Sequence, residues 1–294
     1  MTIRLLRTLV AVAETKTFSA AAARVHVTHA AVSQQMQALE ADLGIELFDR
    51  SRRTPELTRL GHEIVQKARI LIRDYDDLVP SVLGQGGLSG EIAFGALPTS
   101  LTGLTPRSMA RFKARWPDIG LHIRPGLTFP LISEVERGAL DAAIVTRPHA
   151  MPKGLAWREL AEEPLHLIVS QDTEGDDALR LLTTRPFIRF TRAAVVGTLI
   201  DNWLTGAGLQ VQEAMELGSL EAIASMVHAD LGVSIVPRRV VEAWEQAPVR
   251  ALSLGPSAPS RAIGLIARED TPRPRVVDEL ETAFREVIAA EGRK

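Results

Sequence analysis

Residues 18–44 read FSAAAARVHVTHAAVSQQMQALEADLG, and no other stretch narrows the possible folds so far. Ala20 to Ala23, followed by Arg24 and Val25, form a short run of helix formers. Ser19 precedes it as an N-cap, because its hydroxyl can accept from an amide of the first turn. The pattern breaks at His26-Val27. Thr28 then caps a further helix reaching about Leu43, where Gly44 supplies the stop. Upstream, residues 3–15 space Leu5, Leu6, Leu9, Val12 and Ala13 at helical intervals. Two short helices joined by a tight turn make a helix-turn-helix. Helices that cross steeply need small residues where they touch, and Ala21, Ala22 and Ala31 meet that need. A three-helix cluster without any nucleic-acid role stays open on these residues alone.

The helix from Thr28 to Leu43 has two faces. Val32, Met36, Leu39 and Leu43 recur as a buried stripe. His29, Ala30, Ser33, Gln34 and Gln37 share the opposite face. A merely solvated face usually carries Glu–Lys pairs, whereas this one carries uncharged hydrogen-bonding groups near the helix start. A Gln side chain can bond adenine through both amide atoms, Ser can reach any base edge, and an Ala methyl can meet the thymine methyl. The acidic Glu40 and Asp42, which phosphate would repel, sit at the far end. After Gly44, Ile45-Glu46-Leu47-Phe48 reads as an apolar anchor. Arg50, Arg52 and Arg53 then cluster around a turn before Pro55 and Leu57-Thr58. That is a short two-stranded wing whose arginines would grip phosphates or a narrow minor groove. The whole chain carries a net charge of −2, so any attraction to phosphate depends on where charge sits and not on its total.

The segment FSAAAARVHVTHAAVSQQMQALEADLGIELFDRSRRTPELTRLG resembles the winged helix-turn-helix of LysR-type transcriptional regulators. The match is carried by Phe18-Ser19, Ala21-Ala22, Val27-Thr28, Val32-Ser33, Leu39-Glu40, Leu43-Gly44, Leu47-Phe48, Arg50, Leu57-Thr58 and Gly61. The resemblance implies that His29, Ala30, Ser33 and Gln34 face DNA. The family often has Gln in place of His29, Pro or Ser in place of Ala30, and Arg in place of Gln34, departures that weaken the electrostatic grip here. With the helix cap and the wing, the candidate DNA contacts are Thr28, His29, Ala30, Ser33, Gln34, Gln37, Arg50, Arg52 and Arg53.

From Gly61 to about Leu83 a long helical pattern places Ile64, Ala68, Leu71, Tyr75, Leu78 and Val82 on an a/d stripe. So narrow a stripe fits pairing with another helix, and packing on the chain's own second domain is the alternative. The resemblance implies an antiparallel dimer contact through Ile64, Ala68, Leu71, Tyr75 and Leu78. Pro80 should end or kink the helix near Val79. GQGGLSG, residues 84–90, reads as a hinge.

Beyond Glu91, candidate strands at 92–96, 119–124, 142–146, 165–170, 187–190, 214–217 and 233–236 alternate with helical stretches at 106–115, 131–137, 199–205 and 220–229. That alternation argues for α/β with a largely parallel sheet. The resemblance extends through GALDAAI (138–144), SLEAI (219–223) and LGVSIVP (231–237), and implies two lobes like those of a periplasmic binding protein. The expected organisation is α+β and multidomain. A DNA-binding domain spans 1–60, a linker helix 61–83, the hinge 84–90 and an effector-binding domain 91–294. Within the last, lobe I takes 91–162 and 266–294, and lobe II takes 163–265. Helix N-termini at the lobe interface favour anions. Pro98, Thr99, Ser100, Thr128 and Ser219 stand at such ends, and Arg147 and Arg192 follow strands, so these seven residues are the candidate contacts for a small, anionic effector.

No catalytic constellation emerges: GxSxG, HExxH and the P-loop are all missing, and the seven histidines are scattered. No enzyme activity, metal or cofactor is expected, and Asp141 reads as structural. With no cysteine in the chain, disulfides, thiolate nucleophiles and Cys-based zinc sites are excluded, and a reducing compartment fits. The N-terminal apolar run is cut by Glu14, and no segment approaches the ~18 apolar residues of a membrane span, so a cytoplasmic protein with no membrane partner is expected. The partners implied by the resemblance are double-stranded DNA, a small-molecule effector, further copies of the chain in a homodimer or homotetramer, and RNA polymerase.

Overall fold

A computed structural model describes residues 1–49, 56–82, 90–242 and 247–292. These form two compact units, Met1–Glu91 and Ile92–Lys294.

In the first unit, α1 (Ile3–Thr15), α2 (Phe18–Arg24) and α3 (His29–Leu43) surround one apolar cluster. The α2 cap is Thr17 and not Ser19: Thr17 Oγ1 accepts from Ala20 N at 3.2 Å, and the helix already starts at Phe18, whose ring is buried. The turn between α2 and α3 places His26 at φ 55°, in the left-handed region. Gly44 ends α3 at φ 68°. Two short strands follow, β1 (Phe48–Asp49) and β2 (Glu56–Leu57), paired antiparallel with Phe48 opposite Leu57.

The long helix α4 (Arg59–Val82) begins at Arg59, two residues before the expected start. Thr58 Oγ1 accepts from Gly61 N at 2.9 Å and so caps its first turn. A Cβ on Gly61 would lie 2.3 Å from the Leu47 carbonyl oxygen, so only glycine lets the helix pass this close to the strand. Pro80 does not end α4 at Val79. It sits in the last turn, where its missing N–H removes a single helical bond.

The second unit opens with β3 (Glu91–Ala96) and a 3-10 turn at Pro98–Ser100. Then come α5 (Leu104–Arg115), β4 (Gly120–Pro125), α6 (Thr128–Glu136), β5 (Ala142–Thr146) and β6 (Leu155–Ser170). Next are α7 (Ala178–Thr184), β7 (Pro186–Phe190), α8 (Val195–Gly206), β8 (Gln212–Leu217), α9 (Leu220–His228) and β9 (Ser234–Pro237). The chain finishes with β10 (Val249–Ser253), β11 (Ser260–Arg268) and α10 (Pro274–Glu291).

The sheet is mixed and not largely parallel. Within it β3 and β5 are parallel, but β11 runs antiparallel to both β5 and β6, and β6 runs antiparallel to β9 and β10, while β7 and β8 form a separate two-stranded parallel sheet. The reason is that β6 and β11 are long crossing strands. Residues 155–164 of β6 pair with β11, and 165–170 pair with β9 and β10. One apolar cluster forms around α6, β5, Leu155 and Ile266, and another around β7, α8, α9 and Leu165–Val169. These two lobes share β6 and β11 as their connection. At the crossing, Arg261 lies opposite Glu163 in register.

Candidate functional site

On α3 the two faces separate cleanly. Val32, Met36 and Leu39 have no exposed surface, while His29, Ala30, Gln34 and Gln37 are exposed and Ser33 is half-buried. Thr28 Oγ1 accepts from Ala31 N at 3.2 Å, which fixes the start of the helix. The His29 ring stands 6.1 Å from the Phe18 ring, and Phe18 meets Phe48 edge-on at 5.2 Å, so one buried aromatic supports both the polar face and the first wing strand. Glu40 Oε1 accepts from Leu47 N at 2.9 Å and Phe48 N at 3.1 Å. Glu40 therefore serves to anchor the start of the wing. Arg50, Arg52 and Arg53 lie outside the described residues.

The stripe expected along α4 divides. Ala68 is 1% exposed and belongs to the apolar cluster of α1–α3, and Ile64 packs against that cluster. Ala68 is therefore removed from the set of intermolecular contacts: α1 lies on this end of α4 and covers it. Leu71, Tyr75 and Leu78 are 49%, 56% and 60% exposed.

In the second unit a small cleft lies between the lobes. Its walls are Leu97, Pro98, Thr99, Leu127, Thr128 and Thr146 on one side, and Phe190, Ala194, Val195, Val196 and Gly218 on the other, with Arg261 at the crossing strand. It is nearly closed, with room of about 20 Å³, enough for one water. Arg261 is 4% exposed and donates through Nε and Nη2 to Glu163 Oε2 at 2.8 and 2.6 Å. Its Nη2 also donates to Thr99 Oγ1 at 3.0 Å. The other carboxylate oxygen of Glu163 accepts from Val240 N at 2.9 Å. Burying this pair is tolerable only because its bonds are made. Among the described residues Arg261 Nη1 has no hydrogen-bond partner. Thr128 Oγ1 accepts from Thr146 N at 3.3 Å, which leaves the hydroxyl hydrogens of Thr99 and Thr128 unused.

Two helix N-termini point the same way. Helix α8 starts after Ala194, which has extended backbone angles but no capping side chain, and among the described residues the amides of Val195, Val196 and Gly197 meet no acceptor. Gly197 is obligatory there, since a Cβ would lie 2.1 Å from the Thr191 carbonyl oxygen. Helix α6 likewise starts after Leu127 with no side-chain cap. Uncapped amides carry the positive end of the helix dipole, so the cleft favours an anion or a strong acceptor.

Of the residues expected at an effector site, the fold brings Pro98, Thr99 and Thr128 into the cleft and leaves the others out. The Ser100 hydroxyl turns inward, donating to the Leu97 carbonyl at 2.8 Å and accepting from Thr105 at 2.9 Å. Arg147 is exposed, paired with Glu159 at 3.4 Å and stacked over Trp157. Arg192 is neutralised by Glu213 at 2.7 Å, Glu216 at 2.9 Å and Asp201 at 3.6 Å, and hydrogen bonds from Arg189 and Arg192 hold the Glu213 carboxyl down at about 2. Ser219 caps α9 through Ala222 N at 3.2 Å, and its neighbour Gly218 takes the place at the cleft. Sequence reasoning missed Arg261, Thr146, Phe190 and the start of α8. An arginine beside the apolar run AIGLIA was the one available signal.

Among the described residues no cluster of His, Asp or Glu is placed to hold a metal ion, and no helix is long and apolar enough to cross a membrane.

The family described as LysR substrate binding domain matches residues 85–289. The one described as bacterial regulatory helix-turn-helix protein, lysR family, matches residues 3–62. The uncharacterized HTH-type transcriptional regulator YusT of Bacillus subtilis is 26% identical, covering 98% of this chain and 97% of its own. A hydrogen peroxide-inducible genes activator of Haemophilus influenzae is 28% identical, covering 92% of each chain. Full-length OxyR from Pseudomonas aeruginosa, solved as a point variant, superposes with a TM-score of 0.73 at 26% identity, over 97% of this chain and 95% of that one.

Proposed function

On the premise that the chain belongs to the LysR family of DNA-binding transcriptional regulators, we propose that it binds inverted-repeat promoter sites as a dimer or higher oligomer and answers to a small anion held in the interlobe cleft. It is a regulator with an effector-binding domain, and not an enzyme. The His29–Gln37 face of α3 enters the major groove, with Ser33 and Gln34 as the base readers. The wing arginines Arg50, Arg52 and Arg53 contact phosphate. Leu71, Tyr75 and Leu78 pair two copies through α4, so that two reading helices meet two half-sites.

The observation that carries the effector reading is the meeting of the uncapped α6 and α8 N-termini with the Arg261 side chain in one cleft. One relative is a peroxide-inducible activator. This chain has no cysteine, so a thiolate response to peroxide is closed to it.

Genomic footprinting with the full-length protein at several salt concentrations tests the DNA-binding part. A discrete palindromic site supports it. Replacing Arg52 and Arg53 with Ala should flatten the dependence of log K on log salt by about 0.9 for each phosphate no longer neutralised. Binding without sequence preference at every salt would overturn the proposed site reading.

A further inference from the structure

The donor and charge arrangement of the cleft narrows the ligand class. We infer that the effector is a small monocarboxylate that carries an apolar body and no ammonium group. This rests on the cleft being the effector site, as proposed above.

The cationic group and the free amides that meet the cleft are donors, and the hydroxyls of Thr99, Thr128 and Thr146 beside them can donate as well. The cationic donor is Arg261 Nη1, and the amides are the first of α8. Thr99, Thr128 and Arg261 are 6%, 3% and 4% exposed, so these side chains are held by the fold, and a charge-assisted hydrogen bond to them is shielded from much of the solvent. Among the described residues no aspartate or glutamate lines the cleft. Glu163, the carboxylate behind it, already accepts from Arg261 through one oxygen and from Val240 N through the other.

The charge sum sets the valence of the ligand. Arg261 is matched by Glu163, so the uncompensated positive charge comes from two helix ends, that of α6 lacking the amide at Pro130, and together they amount to at most about one elementary charge. That suits one negative charge and leaves a dianion such as phosphate only half neutralised. An ammonium group would face those same helix ends and a guanidinium with no carboxylate to receive it. An amino acid therefore loses through its amine what it gains through its carboxylate.

The remaining wall is apolar. Leu97, Leu127, Phe190, Ala194, Val195 and Val196 line it, so the ligand needs a hydrocarbon or aromatic portion to fill the space opened when the lobes part.

The test uses the full-length protein with matched pairs: butanoate against 2-aminobutanoate, 4-methylpentanoate against leucine, and 3-phenylpropanoate against phenylalanine. 3-Methylbutylamine serves as the cation control. Thermal shift and titration calorimetry read the affinity. At least one acid should bind tenfold or more tightly than its amino acid, and the amine should not bind.

Two variants show where binding occurs. Thr128→Val removes one donor, and Ala194→Asp fills the α8 end with an internal carboxylate. Both should weaken the acid tenfold or more, and Ala194→Asp serves as the second reading should Thr128→Val prove unstable. An amino acid that equals its acid, with both lost in these variants, overturns the ligand class and leaves the cleft standing. Acid binding that survives both variants overturns the cleft itself. No binding by any acid at 10 mM, a concentration on the order of a weak effector's Kd, overturns the class as stated.

Discussion

Giving α8 the cap it lacks is the sharpest perturbation available. Ala194 occupies the N-cap position with φ −90° and ψ 146°, the extended geometry that capping residues adopt. Its own amide is already bonded to the Thr191 carbonyl at 3.1 Å, so a serine there need not rearrange the backbone. The Ser Oγ would accept from Val196 or Gly197, whose amides now meet no acceptor. An N-cap of this kind contributes about 1 kcal/mol. For a folding unit of some 200 residues that corresponds to roughly 2–4 °C in Tm. Ala194→Ser should therefore raise the unfolding temperature of the full-length protein by that amount, followed by circular dichroism without ligand. The same bond is then withdrawn from the effector, so carboxylate affinity should fall about fivefold, the equivalent of 1 kcal/mol. Ala193→Ser, one residue earlier and exposed, should move neither quantity. A Tm that stays level or drops in Ala194→Ser would mean that the α8 amides are not waiting for an acceptor, and the anion-binding argument would lose its base.

Three further outcomes follow from the same geometry. Gln34→Ala and Ser33→Ala should each relax base choice by roughly 1–3 kcal/mol at one position and leave the salt slope unchanged, read by binding-site selection at two salt concentrations; uniform weakening on all DNA would remove them as base readers. Leu71→Asp combined with Tyr75→Asp should shift the protein to smaller assemblies in sedimentation, whereas Ala68→Leu should lower stability by ~1–3 kcal/mol through overpacking and leave the assembly alone. Among the described residues His166 Nδ1 is buried without a hydrogen-bond partner, and burial, reinforced by Arg238, pushes the ring's pKa down to about 4. The unfolded chain then takes up the proton first, so stability is complete above about pH 6.5 and is lost as pH falls toward 4. Urea denaturation at pH 7 and pH 5 should show His166→Leu losing less than the parent, and equal losses would contradict the assignment.

What the sequence disclosed depended on the range of the interactions involved. Helices α1 to α3 and their division into buried and polar faces are local matters of period and capping, and they are readable from Leu5 to Gly44. Even there Thr17 displaces Ser19, because Phe18 is drawn into the core and carries the helix start with it. The second unit is legible only in pieces. Each of its helices that the sequence reveals begins where expected or earlier, since tertiary contact recruits residues such as Thr128 and Val195 ahead of the apolar run. Strand β11 escapes altogether: SRAIGLIAR alternates poorly because both faces of this inner strand are covered, and Ile263 through Ala267 are all buried. With β11 goes Arg261, whose role depends on Glu163, its partner 98 positions earlier in the chain. The charged candidates fail for the converse reason. Arg192 looks free in sequence, but folding places three carboxylates around it. A local rule can find a helix end, but it cannot tell which arginine the folded chain leaves with a spare donor.

The closed cleft bears on how an effector could act at all. With room for about one water, the closed conformation excludes any carboxylate with a hydrocarbon tail. A ligand can therefore bind only a conformation in which the lobes have separated, and it stabilises that conformation by its full binding free energy there. The interactions it must overcome are identifiable. Thr102 Oγ1 donates to Glu221 Oε1 at 2.9 Å, and Arg239 Nη1 donates to the same two atoms at 2.8 and 2.9 Å, joining the loop after Pro98–Ser100 to α9. If separation breaks these and costs about 2.7 kcal/mol, the competent fraction is near one in a hundred and the apparent Kd is raised by that factor. Glu221→Gln, which weakens the latch without touching the cleft wall, should then tighten carboxylate binding, mainly through a faster on-rate. Stopped-flow mixing that showed an unchanged on-rate would place the barrier elsewhere, and would leave the closed cleft as a conformation the ligand never has to open.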